Sequence, residues 1–423
     1  MSRRQQTSGP CFVPGPLLLP KKDFSVEQWA VPATDQFAEQ PDLWRELESM
    51  KQGRLTLQDA LLPDAFLFKV ETSERARKAA NAMNRLMQQE LTRKIEGYIY
   101  LERTLPNGTV RQGLVGLVDL EQYSFEEGQV TPIRAPLPLS AQQVLPRLEL
   151  RQQAALESSH IMLAADDRQG ELFGMLANKK SEWQPVYQGT LCYGGGSVCG
   201  WQVNDPQSLQ EIARTIAHWQ TARPSPALIP ISGNADLAAA KVHWMLCKEE
   251  LEQERQTAHP ARFCLAELCN LYDEGVRLAP VHRVVMGVQG LPLLAAFRQW
   301  CKQQSVEISA QPTGQSVRFV YGNWQQDIWL KGTEKLPLAA GILDGFLQEY
   351  LQWNPMCSVD YITEPQELLE LAADGTTGLL LPDFCKEDIV RGVAGGAFLP
   401  RNPFVMDAME HRYELECRAI DTP

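Results

Sequence analysis

The chain contains no closely spaced pair of cysteines. None of its ten cysteines belongs to a C-x-x-C motif, and the closest spacings are Cys192 with Cys199 and Cys264 with Cys269. Structural zinc sites usually use tighter pairs, so the sequence argues against a zinc-binding module. We expect free thiols, mostly buried, as is typical of proteins in a reducing compartment.

The sequence also has no long apolar run and no excess of positive charge. No stretch approaches the roughly 18 apolar residues of a membrane-spanning helix, and prolines at 14, 16 and 20 interrupt the apolar part of the N-terminus. The chain has 40 Lys and Arg against 52 Asp and Glu, a formal charge of −12. Such an acidic chain is not attracted to nucleic acid or to anionic membranes. We expect a cytoplasmic protein with no nucleic-acid partner and no membrane partner.

No common nucleotide-binding signature is present. The consecutive glycines Gly194, Gly195 and Gly196 form neither a G-x-G-x-x-G motif nor a P-loop. They stand between two short extended segments, which is typical of a glycine-rich hairpin. Bare amides in such a loop can also bind an anion or a substrate backbone, so the three glycines are candidate ligand-binding residues.

What the sequence does contain is an interleaving of helical and extended patterns. Extended runs on both sides of Asn107-Gly108 predict a hairpin, and the second half predicts a strand at 227–231 and helices at about 235–255 and 261–273. We therefore predict an α+β fold with mixed sheets and interleaved helices, in one complex domain or two packed lobes. The predicted division is a flexible tail over 1–16, a β-rich lobe over 17–205 and an α+β lobe over 206–423.

A strand, a tight turn and a helix follow one another in residues 227–246, ALIPISGNADLAAAKVHWML. The first amides of a helix are unpaired and attract anions, so Gly233 and Asn234 are candidate ligand-binding residues. Asn234 can also cap the helix through its side-chain oxygen. Asp236, in the first turn, can occupy the positive helix end itself and would then repel a phosphate. The stretch therefore favours a structural turn over an anion site.

Several longer segments resemble a bacterial family of domains of unknown function, DUF1015. The resemblance runs from about Trp29 to Ile420, and its order and spacing identify the chain as a member. It is carried by the segments WAVPATDQFAEQPDLW, IYLERTLPNGTVRQGLVGLVDLEQYSF, IRAP, HIMLAADD, YGGGSVCGW, SGNADLAAAKVHW, HPARFCLAELCNLYDEGVRLAPVHRVV and FLPRNPFVM…HRYELECR. The turn-helix of the family is similar to that of the partition-nuclease and sulfiredoxin superfamily, whose relatives include free-serine kinases.

The resemblance also locates four departures from the family pattern. Many members have Asp-Gly-His-His-Arg or Asp-Gly-Asn-His-Ser at the turn, where this chain places Ser232 at the acid position and Ala235 at the histidine position. The glycine trio is followed by Ser197 instead of His. Thr-Glu becomes Pro-Leu at 136–137, and Pro-Arg-Lys-Thr-Phe-Ser-Met-Gly becomes PRNPFVMD at 400–407. Reactive side chains are thus replaced at four matched segments.

Five further polar residues are candidate ligand-binding groups. Asp35 follows a possible strand end, Arg103 ends another strand, and Arg134 lies beside a proline-rich loop. His282 and Arg283 interrupt the apolar strand PVHRVV, with side chains on opposite faces. A buried Arg needs a partner, so Arg283 is either in an internal ion pair or clamps a ligand. His282 is more typical of a hydrogen-bonded structural histidine than of a base.

Two functions remain open on this basis. The resemblance implies a nucleotide-dependent phosphotransferase acting on a small metabolite such as an amino acid, with a nucleotide and Mg²⁺ as cofactors and Asp35 as the best preserved acid. The four departures imply instead a diverged, non-catalytic member that binds a small anionic ligand or a protein partner. We favour the second interpretation, with no metal site, because all four replacements fall in turns where chemistry is expected.

Overall fold

A computed structural model describes most of the chain. The described residues are 9–38, 40–51, 53–67, 69, 72–158, 161–222, 226–309, 311–312, 314–333, 338–383, 385–396, 398–399, 404–406 and 412–420. Most of the replaced segment 400–407 lies outside them.

The described residues form twelve α-helices, with short 3₁₀ turns between some of them. The helices are α1 Val26–Trp29, α2 Pro41–Met50, α3 Thr72–Gln89, α4 Ala141–Gln152, α5 Glu171–Lys179, α6 Pro206–Ala222, α7 Asn234–Glu250, α8 Gln253–Gln256, α9 Gly290–Gln303, α10 Ala339–Trp353, α11 Pro365–Ala373 and α12 Lys386–Gly392.

Twenty-three strands, several of only two residues, complete the described elements. They are β1 Phe12–Val13, β2 Gly15–Leu19, β3 Val31–Pro32, β4 Arg93–Thr104, β5 Val110–Asp119, β6 Tyr123–Ser124, β7 Ile133–Arg134, β8 Leu156–Glu157, β9 Met162–Ala165, β10 Pro185–Thr190, β11 Ser197–Val203, β12 Leu228–Ser232, β13 Phe263–Asn270, β14 Leu278–Pro280, β15 His282–Met286, β16 Glu307–Ser309, β17 Gln315–Tyr321, β18 Trp324–Lys331, β19 Ser358–Ile362, β20 Thr377–Leu380, β21 Phe404–Met406, β22 Tyr413–Glu414 and β23 Arg418–Ala419.

An eleven-stranded mixed sheet organises the first two thirds of the chain. Its order is β10-β11-β4-β5-β13-β9-β12-β7-β6, with β1 paired to β5 and β2 paired to β4. The β4–β5 pair is antiparallel and connected through Asn107-Gly108, which confirms the predicted hairpin. The glycine trio connects the antiparallel strands β10 and β11, also as predicted. Mixed sheets interleaved with helices confirm the α+β fold.

A six-stranded sheet follows in the order β16-β18-β17-β20-β15-β19. Helices α9 and α10 pack on it through an apolar cluster that includes Phe297, Phe319 and Phe346. The large sheet draws strands from both sides of residue 205, and the six-stranded sheet begins only at His282. The predicted boundary between two lobes at residue 205 therefore does not separate the two sheets. The division of the chain into domains at that residue stays a prediction.

Two predicted segments are wrong in detail. The helix expected over 261–273 is the strand β13, which lies between β5 and β9 and is buried at every position from Cys264 to Cys269. Burial on both faces gave a segment that is apolar at nearly every position, interrupted by Glu267. Periodicity cannot distinguish such a segment from a helix. The predicted flexible tail is also too long, because β1 and the start of β2 pair with the large sheet and Phe12 is fully buried.

All ten cysteines are free, as expected, and five of them are buried. Within the described parts of the chain, no helix combines the length and apolarity needed to cross a bilayer.

Candidate functional site

The turn singled out in the sequence begins α7, directly after β12. Gly233 precedes the first helical residue with φ of +68°, and a Cβ there would lie 2.9 Å from Cγ1 of Ile161. Asn234 is the first helical residue and not the cap, so the predicted side-chain cap is wrong. Its Oδ1 instead accepts a hydrogen bond from the hydroxyl of Tyr123 at 3.2 Å. Gly233 is needed at this turn both for its positive φ and because Ile161 leaves no room for a Cβ atom.

Asp236 does not use the helix amides in the way the sequence suggested. Its carboxylate lies in the first turn of α7, and its described ion pair is with Arg147 on α4, 3.2 Å from Nε. Arg147 also donates to Asp64, which lies in a 3₁₀ turn at Asp64–Phe66. The helix start is therefore flanked by two carboxylates that share one guanidinium. Their negative charge would repel a further anion at this position.

A cavity of about 140 Å³ lies beside this ion pair. Most of its lining residues are apolar, and about half of these apolar residues come from α3 and from residues 60–67. Its charged lining residues come from the 3₁₀ turn, α4, β8, α7 and β22, and they are Asp64, Arg147, Arg151, Glu157, Asp236 and Glu414. The lining of the cavity thus combines apolar side chains with a group of charged side chains.

Arg151 supplies hydrogen-bond donors to the cavity. Its Nη1 donates to Oε2 of Glu157 at 2.5 Å, and the side chain is only 10% exposed. Its Nε and Nη2 are buried and have no partner among the described residues. Burial alone lowers the pKa of Arg151, but the ion pair with Glu157 raises it overall, so the guanidinium stays charged. Two buried donors without acceptors mark a position where a polar ligand atom fits.

Glu414 supplies the matching acceptor. The residue is 2% exposed, and the backbone amide of Thr34 donates to its Oε1 at 3.1 Å. Its Oε2 is buried without a partner, and no described ion pair includes it. Burial raises the pKa of Glu414 well above its usual range, with the nearby charges of Asp236 and Asp35 adding to the effect. Burial therefore favours the protonated, uncharged form of Glu414.

The other carboxylates of the site are also perturbed by burial. It raises the pKa of Asp64 to about 6, against the opposing charge of Arg147. It raises the pKa of Asp236 as well, again opposed by Arg147. Asp35 lies just beside the cavity, where Nη2 of Arg412 donates to it at 2.6 Å.

Some of the predicted site residues lie near this cavity, across β22. The guanidinium of Arg103 is 5.0 Å from the ring centre of Tyr413, and a Cβ on Gly195 would overlap the hydroxyl of Tyr413. Successive residues of a strand point to opposite faces, so Tyr413 contacts the glycine loop while Glu414 lines the cavity. Arg103 and Gly195 thus meet at Tyr413, while Asn234 begins the helix that carries Asp236. Neither these three residues nor Asp35 lines the cavity.

The remaining predicted residues lie elsewhere. Arg134 on β7 donates to the carbonyl oxygens of Glu126 and Gly396, with its guanidinium 4.4 Å from the ring centre of Phe398. Burial lowers the pKa of Arg134. These contacts tie a loop to the sheet. A role for Arg134 in ligand binding stays a prediction.

His282 and Arg283 both belong to the six-stranded sheet. Nδ1 of His282 accepts a hydrogen bond from the amide of Leu381 at 3.1 Å, and burial lowers the pKa of the imidazole. Arg283 is fully buried and donates through Nε and Nη2 to Asp344, and through Nη1 to the carbonyl of Val281. Of the two sequence interpretations, these contacts favour the internal ion pair over the clamp.

Replacing Arg283 by Met is expected to lower the free energy of unfolding by about 2–3 kcal/mol, because Asp344 loses its counter-ion next to the core. Denaturant unfolding followed by circular dichroism measures the loss. If Arg283 instead clamped a ligand, Arg283→Met would leave stability nearly unchanged.

The glycine loop is closed by packing. Gly194 and Gly196 have φ of +67° and +78°, and a Cβ on Gly196 would overlap the carbonyl oxygen of Thr104. Space around Gly194 is open. The trio therefore has a packing role here, and binding of an anion by its amides stays a prediction.

A pair of alanine substitutions tests that packing role. We expect Gly194→Ala to cost about 1 kcal/mol, which reflects the left-handed backbone alone. Gly196→Ala is expected to cost about 2–3 kcal/mol, because strand β4 must also move away. Equal losses in denaturant unfolding would contradict close packing at Gly196.

Sequence reasoning missed α4 and with it Arg147 and Arg151. No helix was predicted over this segment, and Pro146 lies inside it. A signal was present: Ser140 and Gln143 form a capping box, and the two arginines are four residues apart, which places them on one helix face. For Glu157 and Glu414, no local sequence pattern indicated a role in the site.

Among the described residues, no group of three or more His, Cys, Asp or Glu side chains is arranged to hold a metal ion.

Comparison with solved structures finds only weak similarity. A free serine kinase in complex with AMP is 9% identical over 71% of this chain and 86% of its own, with a TM-score of 0.37. A conserved hypothetical protein from Pyrococcus furiosus is 9% identical over 71% and 90%, with a TM-score of 0.32. SbnI from Staphylococcus aureus, truncated at its C-terminus, is 8% identical over 70% and 83%, with a TM-score of 0.34. Similarity at this level supports no inference about activity.

No curated protein matches the chain. The model of one family, described as protein of unknown function (DUF1015), matches residues 18–342. That match covers more than half of the chain and agrees with the segments noted in the sequence, so the chain belongs to the DUF1015 family of proteins of unknown function.

Proposed function

We propose that this protein is a non-catalytic member of its family that binds a small molecule in the cavity beside α7. The observation that carries the proposal is the set of buried polar atoms without hydrogen-bond partners in the cavity wall: Nε of Arg147, Nε and Nη2 of Arg151, and Oε2 of Glu414. Leaving such groups unpaired costs about 1–3 kcal/mol each. A bound molecule that pairs with them recovers that cost.

The size of the cavity restricts the ligand. Its volume of about 140 Å³ is close to that of a cavity of about 150 Å³ known to hold benzene, a molecule of six heavy atoms. A nucleotide is several times larger. The proposal is therefore a small metabolite and not a nucleotide at this position.

The charges of the cavity revise the anionic ligand suggested by the sequence. Besides the protonated Glu414, three carboxylates line it, Asp64, Glu157 and Asp236, against the two guanidinium groups of Arg147 and Arg151. An anion without a compensating positive group would meet net repulsion there. A neutral or mixed-charge molecule suits this lining better.

The surroundings of the α7 turn support binding without phosphoryl transfer. Asp236 and Asp64 flank the helix start, and Gly195 and Gly196 are packed against Tyr413 and the backbone of Thr104. Phosphoryl transfer relies on amides and cations aimed at the transferred group. Neither turn offers an open cradle of that kind in this arrangement.

A thermal-shift screen of small polar metabolites, with and without MgATP, tests the proposal. At 100 times its dissociation constant a ligand stabilises the folded state by about 2.7 kcal/mol. The variant Ala80→Leu fills the cavity from α3, since Ala80 lines it. Lys78→Leu, two residues earlier and 69% exposed, is the matched control.

We expect at least one metabolite to raise the melting temperature of the native protein and of Lys78→Leu, but not of Ala80→Leu. Phosphorylation of any metabolite at the expense of ATP would overturn the non-catalytic assignment. A screen in which no metabolite stabilises the native protein, while affinity purification yields a stoichiometric protein partner, would replace the small ligand with that partner.

A further inference from the structure

The cavity contains one carboxylate that has no cation of its own. Asp64 and Asp236 share Arg147, and Asp35 pairs with Arg412. Glu157 pairs with both Arg151 and Arg418. Glu414 is bound only by the amide of Thr34 among the described contacts, although it is only 2% exposed. Every other carboxylate facing the cavity has a guanidinium within hydrogen-bonding distance.

The balance of charges around the site explains why Glu414 has no counter-ion. Ionisable groups surround the site on every neighbouring element. They are Asp35 after β3, Asp64 in the 3₁₀ turn, Arg147 and Arg151 on α4, Glu157 on β8, Asp236 on α7, the thiol of Cys264 on β13, Arg412 just before β22, and Arg418 on β23. Four cations balance the four carboxylates other than Glu414. An ionised Glu414 would therefore be an uncompensated buried charge, a costly state.

We infer that the ligand carries a cationic amino group that binds Oε2 of Glu414 and displaces the proton from that carboxyl. This inference rests on the proposed function, because it names the chemistry of the same ligand. Because the amide of Thr34 donates to Oε1 and Oε2 has no partner, we assign the proton of the carboxyl to Oε2. On binding, the O–H bond of Glu414 breaks, the proton passes to the buffer, and the ammonium becomes the missing counter-ion.

The other end of the ligand is defined by Arg151. Its unpartnered Nε and Nη2 donate to an acceptor oxygen of the ligand, while the apolar wall from α3 covers the carbon skeleton. The ligand class is therefore a small amine that also carries a carboxylate or hydroxyl oxygen. Hydrogen bonds in which the donor or the acceptor is charged are stronger than neutral ones. We therefore expect a ligand without the amino group to bind much more weakly.

Isothermal titration with matched probes tests the inference. The probe pairs are L-alanine with L-lactate, and ethanolamine with ethylene glycol, which differ mainly in an amino group replacing a hydroxyl. We expect the amine of a pair to bind on the order of tenfold more tightly. Titrations in phosphate and in HEPES at the same pH give the number of protons released, expected to be close to one.

The pH dependence supplies a second measurement on the native protein. Release of one proton predicts that affinity rises about tenfold per pH unit as long as Glu414 is protonated in the empty site. Glu414→Gln cannot release a proton, so its affinity should be independent of pH and its preference for the amine should be lost. Should that variant fold poorly, the native pH profile decides alone.

The outcomes separate this inference from the proposed function. If the hydroxyl compounds bind as well as the amines, or binding occurs without proton release, the inference is overturned while the binding function stands. If none of the probes binds and the stabilising metabolite of the thermal screen has no amino group, the inference is equally overturned. If nothing binds at all, both fail.

Discussion

Replacing Glu157 by Gln is expected to lower the free energy of unfolding by about 3–5 kcal/mol, the usual loss when one partner of a buried ion pair is removed. Glu157 is 5% exposed and accepts hydrogen bonds from Nη1 of Arg151, from Nη1 of Arg418 and from the amide of Leu265. The neutral side chain of the variant would leave two buried guanidinium groups without an anion.

The pH dependence of this loss has a defined sign. Burial alone would raise the pKa of Glu157, but Arg151 and Arg418 hold it below its usual range. The ion pairs therefore contribute fully above the pKa of a glutamate in the unfolded chain, and their contribution is lost as the pH falls through the lower, folded value. Denaturant unfolding of both proteins at pH 7 and at mildly acidic pH measures it. Glu48→Gln, at a half-exposed ion pair, is the control and should cost less than about 1 kcal/mol.

The same substitution at Glu414 is expected to have the opposite effect and to stabilise the protein at neutral pH. Burial raises the pKa of Glu414, so the folded state keeps a proton that the unfolded chain has lost. Stability of the native protein therefore falls as the pH rises above the ordinary glutamate pKa of about 4.3, until the folded pKa is passed. Because Gln cannot ionise, the Glu414→Gln variant does not lose stability in this way as the pH rises.

The gain of Glu414→Gln over the native protein should grow by about 1.4 kcal/mol for each pH unit in that range. Unfolding free energies at several pH values between 5 and 8 measure the slope of the difference. A difference that stays constant with pH would show that Glu414 is already ionised in the empty site. Glu157→Gln under the same conditions provides the matched comparison, since both glutamates are buried in one cavity wall.

The local part of the site could be predicted from the sequence. The apolar run before Ser232 and the alanine-rich segment after it are local patterns, and β12 and α7 form there within a few residues of the expected bounds. The hairpin at Asn107-Gly108 followed from turn chemistry in the same way. The signals for these elements lie within one short window of residues, so no distant segment was needed to predict them.

The cavity itself could not be predicted, because its groups meet only through the fold. Thr34 and Glu414 are separated by 380 residues, and Arg418 and Glu157 by 261. Strand β13, central and buried on both faces, was mistaken for a helix. With that strand and α4 misassigned, the two cations of the site had no predicted position.

The glycine loop and the strand arginine show a second limit. Residue types alone suggested ligand contacts for Gly196 and Arg283, whereas in the fold one is packed against the backbone of Thr104 and the other is paired with Asp344. Structural and ligand-binding roles use the same residue types. Only the partner supplied by a distant segment distinguishes them.

A crystal structure of the protein grown with MgADP and with the most stabilising metabolite of the thermal screen tests the account most directly. We predict that the metabolite lies between Arg151 and Glu414, with the ion pair of Arg147 and Asp236 intact. A phosphate bound to the amides after Gly233, with Asp236 turned away from Arg147, would contradict the account.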